Sequence, residues 1–542
     1  VIAYHERTKH DFGRFARALG FLDWDTQPDP FRRYVGSALA PLARPDVEPS
    51  PTYEQLYHPG EIPPRPLDAR SISELLYFSL ALSAWKRHGE SHWPLRVNPS
   101  SGNLHPTEAY LMLPGMAGLS DGPGCHHYAP KEHALELRAK LNAASWSGLV
   151  DGLPDGCFLV ALSSIPWRES WKYGERAWRY CQHDVGHALG ALRIAAALLG
   201  WKLHVLPDVP DERLARMLGL DRSDEFPPEE PEHPDLLAVV STTGETDSGL
   251  VTFVPSEDAV LAVQAGSWFG RANALSSGHQ DWSVIDEIER ATRRTTACPP
   301  IAKPCAPPTS LLALDTSDDV PPAGRVIRQR RSAVAMDGKT GLTRAGFYVM
   351  LSRILPDRCA VPWDALPWPT LVHLGLFVHR VADLAPGLYA LARSADSVDA
   401  LRAAMKPDFV WQKPEHCPEA LPLYLLEEGD ARTLSSGVSC GQDIAADGAF
   451  SLGMLAEFEE PLSRYGAPLY RQLFWETGVI GQALYLEAEA AGISSTGIGC
   501  FFDDPVHRAF GLKGHTFQSL YHFTVGGAVD DARVTTEPAY PD

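Results

Sequence analysis

Apolar positions between residues 175 and 199 recur at a helical spacing, through Trp178, Cys181, Val185, Leu189, Leu192 and Leu199. The pattern predicts one long helix. Gly186 and several alanines leave its surface thin enough for a neighbouring helix to approach closely. A second segment of the same kind, near the end of the chain, holds Gly478 and Gly481. The two helices are expected to pack against each other at the heart of the molecule. Short apolar runs, CFLVAL (157–162) and SLYHFTV (519–525), read as strands. DWSVIDEIERATRR (281–294) reads as a helix with Asp281 or Ser283 as its cap and arginines at its end. Helices around an antiparallel or mixed sheet make this an α+β chain.

The strongest organisational signal is an internal repeat. KYGERAWRYCQHDVGHALGALRIAAALLG (172–200) aligns without a gap on RYGAPLYRQLFWETGVIGQALYLEAEAAG (464–492). Tyr173 meets Tyr465, Gly174 meets Gly466, Arg179 meets Arg471, Asp184 meets Glu476, and Gly186 meets Gly478. Upstream, Gly156 and Phe158 meet Gly448 and Phe450. A second match sets Pro99, Pro106 and Thr107 on Pro362, Pro369 and Thr370, at an offset 29 residues shorter. Two matches in the same order point to a duplicated domain. The difference in offset implies an insertion in the second half, for which residues 411–436 are the expected site. Domain one is placed at 1–245, a helix plus Pro-rich linker at 246–325, and domain two at 326–542. The duplication leaves room for further homo-oligomerisation.

Composition narrows the function classes. Lys and Arg number 48 against 68 Asp and Glu, a net charge of −20. That balance argues against nucleic acid and against anionic membranes as partners. Nine scattered cysteines suit free thiols in a reducing compartment, and no Cys-x-x-Cys is present. With no apolar run after basic residues at the start and none of spanning length, the expected location is the cytoplasm.

The candidate chemistry begins at Pro99-Ser100-Ser101-Gly102-Asn103, a tight turn ahead of a buried run. It sets backbone N–H groups, two hydroxyls and a carboxamide side by side, a surface suited to a flat polar heterocycle or a phosphate. The plainer reading is an ordinary loop before a core strand. Four further segments accompany it: RQRRSAVAMDG (328–338), KYGERAWRY (172–180), STGIGCFFDD (495–504) and SLYHFTVGGAVDDAR (519–533).

Together these five segments resemble the flavin-dependent nitroreductase superfamily and, more narrowly, its SagB/ThcOx branch, which contains the azoline oxidases of thiazole and oxazole peptide biosynthesis. The resemblance implies a helix-wrapped sheet that works as a dimer, with FMN at the interface; a tandem chain is then a dimer in one polypeptide. Arg330, Arg331 and Ser332 offer charged forks and a hydroxyl for a phosphate monoester, and Arg533 offers another fork. Against this stand a solvated basic patch and a lone surface arginine. Gly497, Ile498 and Gly499 let backbone approach a planar ring, where the plainer reading is a strand–loop glycine pair. Lys172 and Tyr173, which open the long helix in this reading, match a Lys-Tyr pair that serves catalysis in the azoline-oxidising relatives. A lysine beside a cofactor acts as a base and a tyrosine relays a proton. The alternative is an exposed lysine and a packed tyrosine.

The halves depart from the family pattern in complementary ways. The first has the Pro-Ser-Ser turn and Lys-Tyr but no Arg-Arg-Ser, and WKLHVLPD (201–208) stands in place of the glycines. The second has Arg-Arg-Ser, Gly-Ile-Gly and Arg533, but PWDAL in place of the turn and Arg464 in place of Lys172. One composite site is therefore expected, with one FMN per chain. The resemblance implies hydride transfer at flavin N5, as in dehydrogenation of an azoline-type peptide or small substrate, with Lys172 as base. Two alternatives stay open: an NAD(P)H-dependent reductase of the nitroreductase kind, and a flavin- or peptide-binding protein without turnover. His183-Asp184-Val185-Gly186-His187 resembles a metalloprotease helix motif, but its repeat partners Trp475 and Val479 and the lack of a third ligand argue for no metal.

Overall fold

The computed structural model describes residues 1–243, 253–299, 301, 320–356 and 360–541. Most of the Pro-rich segment, with Cys305, lies outside them. In the first half a hairpin, β1 (Leu82–His88) and β2 (Ser91–Arg96), precedes strands β3 (Thr107–Leu113), β4 (Gly124–Ala129), β5 (Ala134–Lys140), β6 (Cys157–Ser164), β7 (Lys202–Val205) and β8 (His233–Ser241). The second half supplies β9 (Val372–Val378), β10 (Gly387–Leu391), β11 (Leu423–Glu428), β12 (Phe450–Glu457), β13 (Ser494–Ile498) and β14 (Phe517–Gly526). Their sheets run in the orders β5-β4-β3-β6-β8-β7 and β11-β10-β9-β12-β14-β13, with every one of these pairings antiparallel. The two orders are the same pattern drawn twice. The fold is α+β, two tandem domains of one architecture closed into an intramolecular pseudo-dimer.

Three helices recur in each half: α1 (Pro166–Tyr173), α2 (Ala177–Leu198) and α3 (Asp211–Leu218), then α4 (Glu459–Tyr465), α5 (Leu469–Ala490) and α6 (Asp503–Phe510). Every residue of α2 is buried, as is all but the last turn of α5. Such helices need neighbours on every face. A Cβ on Gly186 would stand 2.8 Å from the Gly478 Cα, and one on Gly478 would stand 2.7 Å from the Gly186 Cα. The two helices thus touch backbone to backbone.

Around that contact the duplication repeats its ion pairs. Arg179 bonds Asp503 at 2.9 Å, and its repeat partner Arg471 bonds Asp211 at 2.8 Å. Each pair joins a central helix of one half to the α3 or α6 of the other. The last strand, β15 (Thr535–Glu537), crosses back from the second half to pair with β1 of the first.

Three sequence expectations change. Lys172 and Tyr173 close α1 instead of opening the long helix, because Gly174 at φ 55° breaks the chain between them. The helix predicted at 281–294 spans Ser283–Ala291, and its cap position is Trp282 with no side-chain bond, not Asp281 or Ser283. The insertion shares only residues 411–422 with the expected 411–436, since the rest of that segment contains β11, the repeat counterpart of β5. Residues 130–133 join β4 to β5, whereas residues 392–422 make the corresponding link in the second half and carry the extra helix Val398–Ala404.

Leucine at position 478 has no space to enter. Gly478→Leu should cost about 3 kcal/mol or more and lower the thermal midpoint by circular dichroism. Leucine at Gly437, where a Cβ meets nothing within 4 Å and the backbone is helical, is expected to be far milder.

Candidate functional site

The segments singled out in the sequence meet where the halves join. From the second half, Ser332 bridges Ser495 at the edge of β13, and the Ala333 N–H bonds the Ser495 carbonyl at 3.0 Å. Tyr485 on α5 shares a hydrogen bond with the Ser332 hydroxyl at 2.9 Å and accepts one from the Gly497 N–H at 2.9 Å. That one phenol ties the Arg-Arg-Ser segment to the Gly-Ile-Gly wall. Arg330 is 3% exposed and lies over the Tyr485 ring at 4.8 Å. It donates to the Arg96 and Val97 carbonyls of the first half at 3.1 and 3.0 Å. Arg331 donates to the carbonyls of Arg328, Arg330 and Ser83.

These arginines are not a solvated patch. Among the described residues no carboxylate lies within ion-pair distance of Arg330 or Arg331, and the Arg330 Nε has no hydrogen-bond partner there. Burial, with the charges of Arg330 and Arg328 added, lowers the Arg331 guanidinium to about 10. Cations drawn out of water without a paired counterion are costly, and Glu489 acts on the two arginines only from beyond ion-pair distance. The arrangement suits an anionic ligand, and a phosphate monoester fits the forks.

From the first half, the turn at 99–103 follows β2 directly. Ser101 donates to Asp184 on α2 through its N–H and its hydroxyl, both at 3.0 Å. The Ser100 hydroxyl accepts the His105 N–H at 2.8 Å, and the Asn103 carboxamide bonds the Pro94 carbonyl and the His105 ring. The polar side chains of the turn therefore hold its own shape. Gly102, at φ 58°, keeps the surface flat: a Cβ there would stand 2.5 Å from the Tyr173 hydroxyl and 3.2 Å from the Lys172 Nζ. Pro99 precedes the turn, and both Lys172 and Tyr173 are half-buried.

The walls meet through aromatic rings. Tyr180 on α2 packs 4.5 Å from the Tyr173 ring and donates to the Gly499 carbonyl at 3.1 Å. A Cβ on Gly499 would meet Tyr180 at 2.5 Å, and one on Gly497 would strike the Tyr521 hydroxyl. Ile498 is buried between them. Tyr521 stacks on His183 at 4.2 Å and bonds His187 at 3.2 Å, so the two histidines of the metalloprotease-like motif serve ring packing. Arg533 is not brought to the others. Its side chain is 76% exposed and paired with Asp531 at 2.7 Å.

Several contributors were not legible as such. Asp184 bonds the turn, and the repeat match with Glu476 was its one signal. Glu169, on α1 one turn before Lys172, is fully buried with both carboxylate oxygens unbonded among the described residues. Burial and then the Asp184 charge push it well up, while Lys172 pulls it down. Tyr180 and Tyr521 lay inside segments singled out in the sequence without being marked as site residues, and Tyr485 carried no sequence signal.

The pseudo-symmetric position is filled. Trp363, Asp364 and Trp368 stand where the first half has Ser100, Ser101 and His105. Asp364 pairs with Arg193 at 2.7 Å, and Arg193 occupies the repeat position of Tyr485. Arg393 pairs with Glu476 and lies over the Trp363 ring at 4.5 Å. Trp368 packs 5.9 Å from Trp475, whose indole donates to Gln182 at 2.7 Å. A crevice of about 240 Å³ remains beside these side chains.

Residues 408–527 match the family model described as the Nitroreductase family. No curated protein matches the chain. A candidate nitroreductase from Anabaena variabilis, solved by crystallography, is 20% identical with a TM-score of 0.69, covering 97% of this chain and 99% of that one. It shares the fold over the whole tandem chain. A candidate nitroreductase from Ralstonia eutropha is 17% identical with a TM-score of 0.29, covering 42% of this chain and 98% of that one. The Escherichia coli microcin synthetase McbBCD complex, solved with truncated pro-MccB17 bound, is 20% identical with a TM-score of 0.27, covering 40% and 70%. No helix among the described residues is long and apolar enough to cross a membrane.

Burial pushes the Asp184 carboxyl up to about 7, against the lowering pull of Ser100 and Ser101. A folded pKa above the unfolded one means stability present at low pH and lost as pH rises through about 7. Between pH 5 and 8 the thermal midpoint should therefore fall by about 2 °C more in the wild type than in Asp184→Asn. Parallel melting curves for the two proteins would show that Asp184 does not titrate in this range.

Proposed function

We propose that the chain is an FMN-dependent oxidoreductase with one composite flavin site, in which the second half holds the phosphate and the first half covers the ring. The observation that carries this reading is the arginine pair, buried Arg330 and half-buried Arg331, with no carboxylate of the described residues within ion-pair distance. Ser332 and the backbone of Gly497, Ile498 and Gly499 would complete the cradle, and the turn at Pro99–Asn103 would close it from the other side. The nitroreductase family domain over 408–527 and the shared fold support the same reading.

FMN, when bound, supplies a two-electron acceptor at N5. The chain's own residues do the rest. Lys172 and Tyr173 stand against Gly102 at the mouth of the cradle, where Lys172 would take a proton from the carbon next to the one that gives up hydride, so that the double bond forms between those two carbons. Tyr173 orients the donor, and the buried Glu169 carboxyl, which burial favours in its neutral form, lies one turn before Lys172 on α1. The Trp363, Trp368 and Trp475 side chains exclude a ring from the opposite position, so one flavin binds per chain. The substrate is a peptide or related small molecule, with dehydrogenation of an azoline as the leading reaction and reduction by NAD(P)H as the alternative.

Anaerobic titration tests both the class and the direction. A bound flavin that bleaches with an azoline-bearing peptide and not with NAD(P)H is expected; bleaching with NAD(P)H alone moves the assignment to the reductase, and no bleaching with any donor moves it to a binding protein. Arg331→Ala should weaken FMN binding about 10- to 100-fold, the loss of one charge-assisted contact. Lys172→Ala should retain FMN and slow its bleaching by the peptide by about 100-fold.

A further inference from the structure

Cys440 and Cys500 are far apart in sequence and joined in space. Their sulfurs share a hydrogen bond at 2.6 Å, and both residues are half-buried. Cys500 directly follows Gly499 on the wall of the candidate site. Cys440 sits just beyond the helix Arg432–Val438, in the left-handed region at φ 56°. A non-glycine residue pays strain there unless its surroundings hold it. The surroundings do so. The Phe502 N–H bonds the Val438 carbonyl at 2.7 Å, and the Gln442 carboxamide donates to the Ser439 and Cys500 carbonyls at 2.8 and 2.9 Å. The two segments are laced together on both sides of the thiols.

We propose that Cys440 and Cys500 form a thiol–disulfide exchange site that takes its oxidising equivalents from a small disulfide of the glutathione type. The Cys500 thiolate attacks one sulfur of the small disulfide, breaks its S–S bond and releases the first small thiolate. The mixed disulfide removes the Cys500 contact that, with burial, pushes the Cys440 thiol up; Cys440 then passes its proton to the released small thiolate, attacks the Cys500 sulfur, forms the internal disulfide and releases the second small thiolate. Two protein thiols and one small disulfide become one internal disulfide and two small thiols; two electrons pass from the protein to the small molecule.

The surroundings favour Cys500 as the attacking group. The S–H contact with Cys440 lowers it first, and the Arg176 guanidinium adds to this against the upward push of burial. Burial instead pushes Cys125 up to about 12 and Cys157 and Cys417 up to about 11, which makes those thiols inert by comparison. Nothing in this step depends on what the neighbouring site binds. Its consequence does reach that site: the internal disulfide replaces a hydrogen-bonded seam with a covalent one, directly behind Gly499.

The experiment is differential alkylation with peptide mapping of the full chain after incubation with oxidised glutathione. The expected result is a Cys440–Cys500 cross-linked peptide, with no glutathione retained on either residue, and its loss on adding a dithiol reductant. Cys440→Ser should trap glutathione on Cys500. If both residues are recovered as free thiols, or if each carries glutathione with no cross-link, the proposal is wrong. The wild-type map decides this whether or not the variant folds.

Discussion

Two glycines, Gly186 and Gly478, bring the backbones of the central helices into contact, and the rest of the molecule is arranged around that contact. With no side chain between them, α2 and α5 sit closely enough for each to form part of the other half's interior. Each helix can then present residues to both junctions between the halves. Arg179 and Arg471 lock the arrangement by pairing with Asp503 and Asp211 across it. Both aspartates are buried; Asp503 keeps a second cation, Arg176 at 3.0 Å, whereas removing Arg471 would take away the ion-pair partner of Asp211. The ordered junction is therefore a condition of folding and not an addition to two finished domains.

Duplication makes two junctions, and the same scaffold treats them differently. At one, small and flexible backbone (Gly102, Gly497 and Gly499) meets aromatic rings and buried cations. At the other, every exchange adds bulk or closes a charge: Trp363 and Trp368 for Ser100 and His105, an Arg193–Asp364 pair where Tyr485 and Ser101 stand opposite, and Arg393 against Glu476. A buried cation facing a carboxylate has no need of an anionic ligand, whereas Arg330 and Arg331 bond backbone carbonyls and, for Arg330, the Ser332 hydroxyl. The difference between the junctions is thus one of charge closure as much as of volume.

How much of this was legible in the sequence follows from what each feature depends on. The central helices, strands 157–164 and 517–526 and the duplication are written in local periodicity and in a gapless repeat, so they could be read. The break at Gly174 was hidden because Trp171 and Tyr173 before it and Trp178 after it read as one continuous apolar pattern. The insertion was misplaced because β11 looks like added sequence until its partner β10 is seen. Among the site residues, the glycines and arginines stood in recognisable segments. Tyr485, Tyr180 and Asp184 act through contacts with segments tens to hundreds of residues away, and no local pattern marks such partners. The Cys440–Cys500 contact is of the same kind: the sequence showed nine scattered thiols, and only the fold brings these two together.

The asymmetry between the junctions is most directly tested by the amount of flavin the protein holds. Fully reconstituted chain, freed of excess FMN and then denatured, should release one FMN per polypeptide. A ratio near two would mean that the tryptophan-filled junction also binds flavin, and a ratio near zero would mean that neither junction is a flavin site; either contradicts the account.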